Sequence, residues 1–412
     1  MKKYFLITFI MSISLSLSSQ NSSIFGHFLS IVDDPHKSIQ VNLGLYSGSN
    51  GITNKFLKRY FYNSNLSLED RKNQLSLLSD NNSMCYILSG DITFEDYQWS
   101  YKKLKSWRIG ISNLDYNEFS FSKDIFGVYF LGNKPFQDIT LKLSGKQNTI
   151  KSQTLKIGSG FLFNNFESKF NLGLVIGQHV SNKNLENSSL LSSGIGEQID
   201  LDLKYLALNK NKNHIGSFQS LGASIDLGVK LKLKNKNFIA IEINDFGKIY
   251  WNNDISGLEI DTIFSFDGVD VKGFFDSLYL DIGSSEELQE SFVRRTKIEK
   301  LNSKLPWSLN FTGYFVWLPT KITSHFNARI YPESDFIGNI DLITYYTLKK
   351  YFNPGISIGR GFYQEFYAGL GFFGQLGNNY FYNVKLNSLF NTFVNQAKIG
   401  PVLELQLART IN

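Results

Sequence analysis

The chain has 412 residues, 42% hydrophobic, 15% aromatic and 19% charged, with 33 Gly and 7 Pro, a composition that excludes disorder, collagen and coiled coil. Its formal charge of +6 falls to +4 once Lys2 and Lys3 leave with an N-terminal segment (40 basic against 36 acidic residues). That surplus is too small and diffuse for a nucleic-acid footprint. Cys85 is the single cysteine, so neither an internal disulfide framework nor a thiolate zinc or iron–sulfur cluster can form.

Met1-Lys2-Lys3, a short apolar run and the serine-rich end at Ser16–Ser19 read as a secretory signal over residues 1–19, cut after Ser18 or, by preference, Ser19. No later run approaches the roughly eighteen apolar residues of a membrane helix, so residues 20–412 are expected to form one domain without one. Period-two alternation then recurs along the chain. Ile39, Val41, Leu43 and Leu45 oppose Gln40, Asn42, Gly44 and Tyr46, and the same pattern returns around Ile109, Leu141 and Leu201 and, near the end, at Leu403, Leu405 and Leu407. Residues 51–82 form an insertion with the basic aromatic stretch Lys55–Tyr62, followed by a helix predicted over Ser67–Leu78, where Ser67 and Asp70 have capping-box spacing.

The sharpest alternation spans Ser224–Asn244, with Asp226, Lys230 and Glu242 on the polar face. A three-residue Asn235-Lys236-Asn237 turn is predicted there, which sets Lys230 opposite Glu242 as an ion pair. A second insertion, 261–306, carries Phe264, Phe266, Phe274 and Phe275 and then a helix predicted from Ser284, spaced to Glu287, to about Lys300. It reads either as a plug or docking element or as a pair of strands and a surface loop.

Segments of up to about a dozen residues suit an all-β, transmembrane antiparallel β-barrel of about 14 strands (14–16), with short plug or loop helices. The competing reading is a soluble sandwich or propeller, in which the apolar faces meet another sheet. Mid-strand charges on the polar face, the export signal, and Trp99, Tyr101, Tyr250, Trp251 and Trp317 at segment ends, placed as an interface girdle, favour the barrel.

Asn244-Asp245-Phe246-Gly247-Lys248-Ile249-Tyr250-Trp251 after a strand, Lys304-Leu305-Pro306 opening the next, and the layout of Gly51–Leu78 resemble a family of outer-membrane barrels from Bacteroidota. That family is similar to the long-chain fatty-acid transporter type of barrel and, distantly, to the barrel partners of type IX secretion. The resemblance implies a fold and the outer membrane of a Gram-negative cell more firmly than an activity. The ending Arg409-Thr410-Ile411-Asn412 departs from the terminal aromatic of many proteobacterial barrels.

A search for chemistry returns no catalytic, cofactor or metal site. Gly369-Leu-Gly371-Phe-Phe-Gly374 fits the dinucleotide string but lies inside a strand-like run, where it reads as small residues on one face of a curved strand. His27, His36, His179, His214 and His325 are scattered, and Cys85 reads as a packed apolar residue. The expectation is a non-enzymatic barrel in outer-membrane lipid. It either passes a hydrophobic or amphipathic small molecule through a plugged lumen or scaffolds protein partners of a surface or secretion complex; a secreted soluble β protein is the third reading. A lumen lined by Phe and Tyr would favour passage, and one closed by ion pairs would favour the scaffold.

Overall fold

The computed structural model describes residues 36–411 apart from 63–65, 99–102, 195–197, 212–219, 267–293, 319–320, 335–337, 350, 362, 364, 389–390, 392–393 and 395–396. Sixteen strands join in one antiparallel sheet. They are β1 (Lys37–Ser49), β2 (Asn81–Asp96), β3 (Leu104–Ser122), β4 (Leu141–Phe163), β5 (Phe166–Ser192), β6 (Ile199–Asn211), β7 (Ser220–Lys232) and β8 (Phe238–Phe266), then β9 (Arg294–Lys304), β10 (Ser308–Leu318), β11 (Ile322–Ile330), β12 (Gly338–Tyr346), β13 (Asn353–Arg360), β14 (Phe366–Leu376), β15 (Tyr380–Asn387) and β16 (Ile399–Ile411). The helices are α1 (Asn54–Tyr62), α2 (Leu68–Ser76) and α3 (Lys123–Leu131).

The ring has fourteen passages. β7 and β6 lie end to end along β5, paired with Phe166–Ile176 and His179–Ser192 respectively. β10 and β9 likewise lie end to end along β8. Counting each pair once leaves 14 passages from the 16 strands, and β16 closes on β1 from Lys37↔Ile411 onward. Each passage pairs with its neighbours in sequence, the arrangement that abolishes sheet edges.

Period two separates the faces. Val41, Ile92, Ile111, Leu155 and Leu174 stand in directly opposed register across β1–β5, and all point outward. Ile92, Ile111 and Ile356 are 57%, 59% and 66% exposed, whereas the polar Glu95, Asp226 and Lys169 are 0%, 2% and 4% exposed. A soluble sandwich would bury the isoleucines and expose the charges. Here the order is inverted, as in a barrel whose outer face meets hydrocarbon and whose inner face is polar.

The links fall into two classes. At one end, here the turn end, they are short: Asn164-Asn165, 233–237 and 377–379. Asn164, Asn235 and Lys236 there have φ of 49°, 59° and 63°, the left-handed geometry of tight turns. At the opposite loop end lie the long links 50–80 and 123–140 with all three helices. β4, β5 and β8 have 23, 27 and 29 residues, against the ~10 that cross a bilayer. Their excess projects at the loop end as a wall ordered β4-β5-β6-β8-β9.

As predicted, Ser67 caps α2, its hydroxyl accepting the Asp70 amide at 3.1 Å. α3, capped by Ser122 through the Ile125 amide, has no counterpart in the sequence reading. The second predicted helix is overturned where it can be seen. Arg294–Lys300 belongs to β9, paired to β8 through Ile298↔Ile255, while 284–293 lie outside the described residues. β8 itself runs on to Phe266. The 261–306 insertion is thus bounded by two extended strands, because the edge of the long β8 provides more backbone partners than an isolated capping box.

Candidate functional site: the lumen and the vestibule at its loop end

The inward face carries three polar networks. Lys156 of β4 bridges Asp226 of β7 (2.9 Å) and Asp245 of β8 (2.7 Å), with the Asn171 amide donating to Asp226 (3.0 Å). Nearer the turn end, Lys169 of β5 pairs with Glu95 of β2 (2.9 Å), which also accepts from Ser106 of β3 (2.6 Å). The third links Lys385 of β15 to Glu404 of β16 (3.2 Å), which accepts from the Tyr46 hydroxyl of β1 (2.7 Å).

Such spans need a flat wall beneath them. A Cβ on Gly160, in β4 between the partners of Lys169, would fall 2.6 Å from Ser106 Oγ and 3.6 Å from Lys169 Cγ. The Tyr345 ring lies over Gly355 and Gly371 on its way to Asn383 Oδ1 (2.9 Å). Gly371 belongs to the dinucleotide-like string, which is therefore strand β14, as the sequence reading had it, with a small residue that admits an aromatic.

Contacts also cross the lumen among the described residues. The Arg329 guanidinium of β11 sits 5.1 Å from the Tyr46 ring centroid, and its Nε donates to Asn310 Oδ1 (2.8 Å). β11 and β1 face each other across the ring, with β12–β16 between them on one side. Toward the loop end, the Tyr116 hydroxyl donates to Glu118 (2.8 Å) and lies 2.8 Å from Ser334 Oγ in the β11–β12 link opposite. An apolar layer of Tyr46, Cys85, Ile87, Leu114, Tyr331 and Val402 fills the space between these bridges. Cys85 packs there as expected.

The predicted site residues separate. Lys230 and Glu242 are both buried on the inward face, but Lys230 stands opposite Ala240 and Glu242 opposite Gly228. Leu233 donates to Asn237 O, so the hairpin centres on Asn235, one residue earlier than predicted. The odd turn preserves the face and moves the register by two. Lys230 Nζ lies instead 4.6 Å from the Phe238 ring centroid. Tyr250 and Trp317 are exposed outward. Trp251 is a correction: it is 1% exposed, packs inward with Ile249 and Ile255, and donates from Nε1 to Ser303 (3.0 Å). Adjacent strand residues face opposite ways, so Tyr250 and Trp251 cannot share a girdle. Trp99 and Tyr101 lie outside the described residues, as do His27 and His214.

Above the Tyr116–Ser334 bridge a cavity of about 420 Å³ opens between the lumen mouth and the projecting wall, with Tyr116, Ile150, Leu208 and Leu305 among its lining. A neighbouring cavity of about 450 Å³ shares Lys146 and Asn184 with it. Among the described residues no group of three His, Cys, Asp or Glu could hold a metal ion. His325 lies between the rings of Tyr314 and Tyr345, at centroid distances of 4.8 and 5.5 Å.

Residues 35–384 match the DUF5723 family, a family of unknown function. The chain belongs to that family. No curated protein matches it. Among solved structures, this DUF5723 member is similar to the Pseudomonas putida toluene transporter TodX at 10% identity and a TM-score of 0.43, with 96% of each chain covered. It is similar also to a Pseudomonas aeruginosa FadL homologue (8% identity, TM-score 0.40, 93% of this chain and 92% of that one). A third likeness is to the translocator domain of the Neisseria meningitidis autotransporter NalP (8% identity, TM-score 0.33, the same coverage).

Proposed function

We propose that the protein is a non-enzymatic outer-membrane barrel, sealed at rest, that serves as a surface platform or assembly partner. The observation that carries this is the pair of cross-lumen bridges, Arg329–Tyr46–Glu404 and Tyr116–Ser334, backed by ion pairs along the wall. Short turns face the periplasm and long links the exterior in barrels of this kind, which puts the helices and the projecting wall outside the cell. Lipid surrounds the belt, Tyr250 and Trp317 sit at its rims, and protein partners meet the loop end.

A second reading, passage of a hydrophobic or amphipathic molecule once the seal opens, is favoured by the apolar layer of Tyr46, Ile87, Leu114 and Tyr331 inside the lumen. Planar-bilayer recording of the reconstituted protein separates the two. The sealed platform predicts no steady conductance in the wild type and a conducting state in the Tyr46→Ala/Arg329→Ala double variant. Steady conductance in the wild type, or entry of a hydrophobic fluorescent tracer into proteoliposomes that carry it, overturns the platform reading.

A further inference from the structure

The inner face of the projecting wall is built in rows. Ile150, Val180 and Lys210 are directly opposed, then Asn148, Asn182 and Leu208, then Lys146, Asn184 and Leu206. The second and third rows line the vestibule cavity of about 420 Å³. Three carboxamides deeper in the barrel are committed: Asn42 donates to Asp91, Asn171 to Asp226 and Asn383 to Gln406. The side chains of Asn148, Asn182 and Asn184, which share the inward face, have no hydrogen-bond partner in the protein among the described residues. Each offers two donors and an acceptor with two lone pairs toward one cavity.

We propose that this vestibule binds a neutral, polyhydroxylated ligand, a short oligosaccharide segment, with the three carboxamides bonding its hydroxyls and Leu206 and Leu208 receiving its C–H faces. A hydroxyl is donor and acceptor at once, as a carboxamide is, so every group on both sides finds a partner. An apolar ligand would strip water from three carboxamides without replacing it, and each unmet group costs about 1–3 kcal/mol. An anion would use only the donors and leave the acceptors facing it. Three lysines also line the cavity: Lys304 is paired with Glu333 at 2.9 Å, and the salt dependence of binding reports whether Lys146 and Lys183 take part. The volume of about 420 Å³ lies within the range of ligand sites. The inference does not depend on whether the lumen opens.

The test uses the full chain in a detergent without a sugar headgroup. A glycan array of neutral and acidic oligosaccharides is followed by calorimetric titration of maltotriose, cellotriose and chitotriose and of any array hit. The expected result is binding of at least one neutral glycan that is insensitive to salt and falls at least tenfold in Asn148→Leu/Asn182→Leu. The boiling-dependent gel shift, which reports barrel integrity, should be unchanged in that variant. A second variant, Asn184→Asp, keeps the shape and removes two donors, so it should weaken binding without altering the shift. Absence of any neutral-glycan binding overturns the proposal, as does binding only to acidic glycans with steep salt dependence, or affinity that survives the double variant.

Discussion

A single charge moved along one strand tests where the hydrocarbon lies. Ile109 is on the outward face of β3, 40% exposed, opposed by Phe94 and Ile157. Asn113, four residues on, has the same facing and is opposed by Gly90 and Gln153. Four steps of about 3.4 Å at a tilt of about 40° separate them by roughly 10 Å along the barrel axis. The outward face changes from Trp107, Ile109 and Ile111 to Asn113, Asp115 and Asn117 over that distance, so Ile109 lies near the middle of the belt and Asn113 at its rim. Arginine at a bilayer midplane costs about 2–4 kcal/mol and near an interface about 0–1. Ile109→Arg should therefore lower the folded-to-unfolded ratio by about thirty- to a thousandfold, and Asn113→Arg by fivefold at most. Reversible urea unfolding into phospholipid vesicles, followed by the boiling-dependent gel shift, measures both. If the outward face met water instead, Ile109→Arg would be neutral and would raise solubility. Equal small effects at the two positions refute the membrane belt.

Gly160→Val should cost about 1–3 kcal/mol through overpacking against Ser106 and Lys169, and thermal unfolding in detergent reads it. Trp251→Ala should cost about 3–5 kcal/mol, as large core truncations do, while its exposed neighbour Tyr250→Ala stays within about 1 kcal/mol; the same assay separates inward from outward. Hydrogen bonds from Arg59 and Ser67 hold the Asp70 carboxyl below its ordinary range. A depressed carboxyl stabilises above its unfolded value and loses that contribution as pH falls through the folded one. Pepsin cleavage between α1 and α2, normalised to a reference peptide at each pH, should accelerate below about pH 4 in the wild type and lose that acceleration in Asp70→Asn.

The alternation of Ile39–Leu45 or Leu403–Leu407 reports a local property, the facing of each residue, and facing was legible throughout: Lys230, Glu242 and Asp226 all lie inward as their parity requires. Strand number was legible for the same reason. Register was less so, because a turn that slips by one residue moves a pair by two and leaves parity untouched, which is what separates Lys230 from Glu242. Trp251 was misplaced because the girdle argument counted aromatics and ignored the alternation that the rest of the reading used. The lumen networks were not legible. Lys169 and Glu95 are 74 positions apart, and Tyr46 and Glu404 are 358. The only signal was a charge in mid-strand, which says that a partner is needed and not which one. The uncommitted carboxamides of Asn148, Asn182 and Asn184 carried a cue that composition hides, since Asn in a strand is unfavourable and Asn148 and Asn182 face each other across one hairpin.

The long strands that build the vestibule wall also create an edge. In the belt every strand has two neighbours, but β9 rises beyond the rim paired with β8 alone among the described residues. An exposed strand of 11 residues is a template for unwanted pairing unless charge blunts it. β9 carries Arg294, Arg295, Lys297, Lys300 and Lys304, with Glu299 its one acidic residue. Basic residues there set the spacing against another copy of the same edge, since two such strands would oppose like charges. The charged stretch that the sequence suggests as the end of a helix is thus part of a strand. The projecting wall and its protected edge are two consequences of one feature, the extension of β4, β5 and β8 past the membrane.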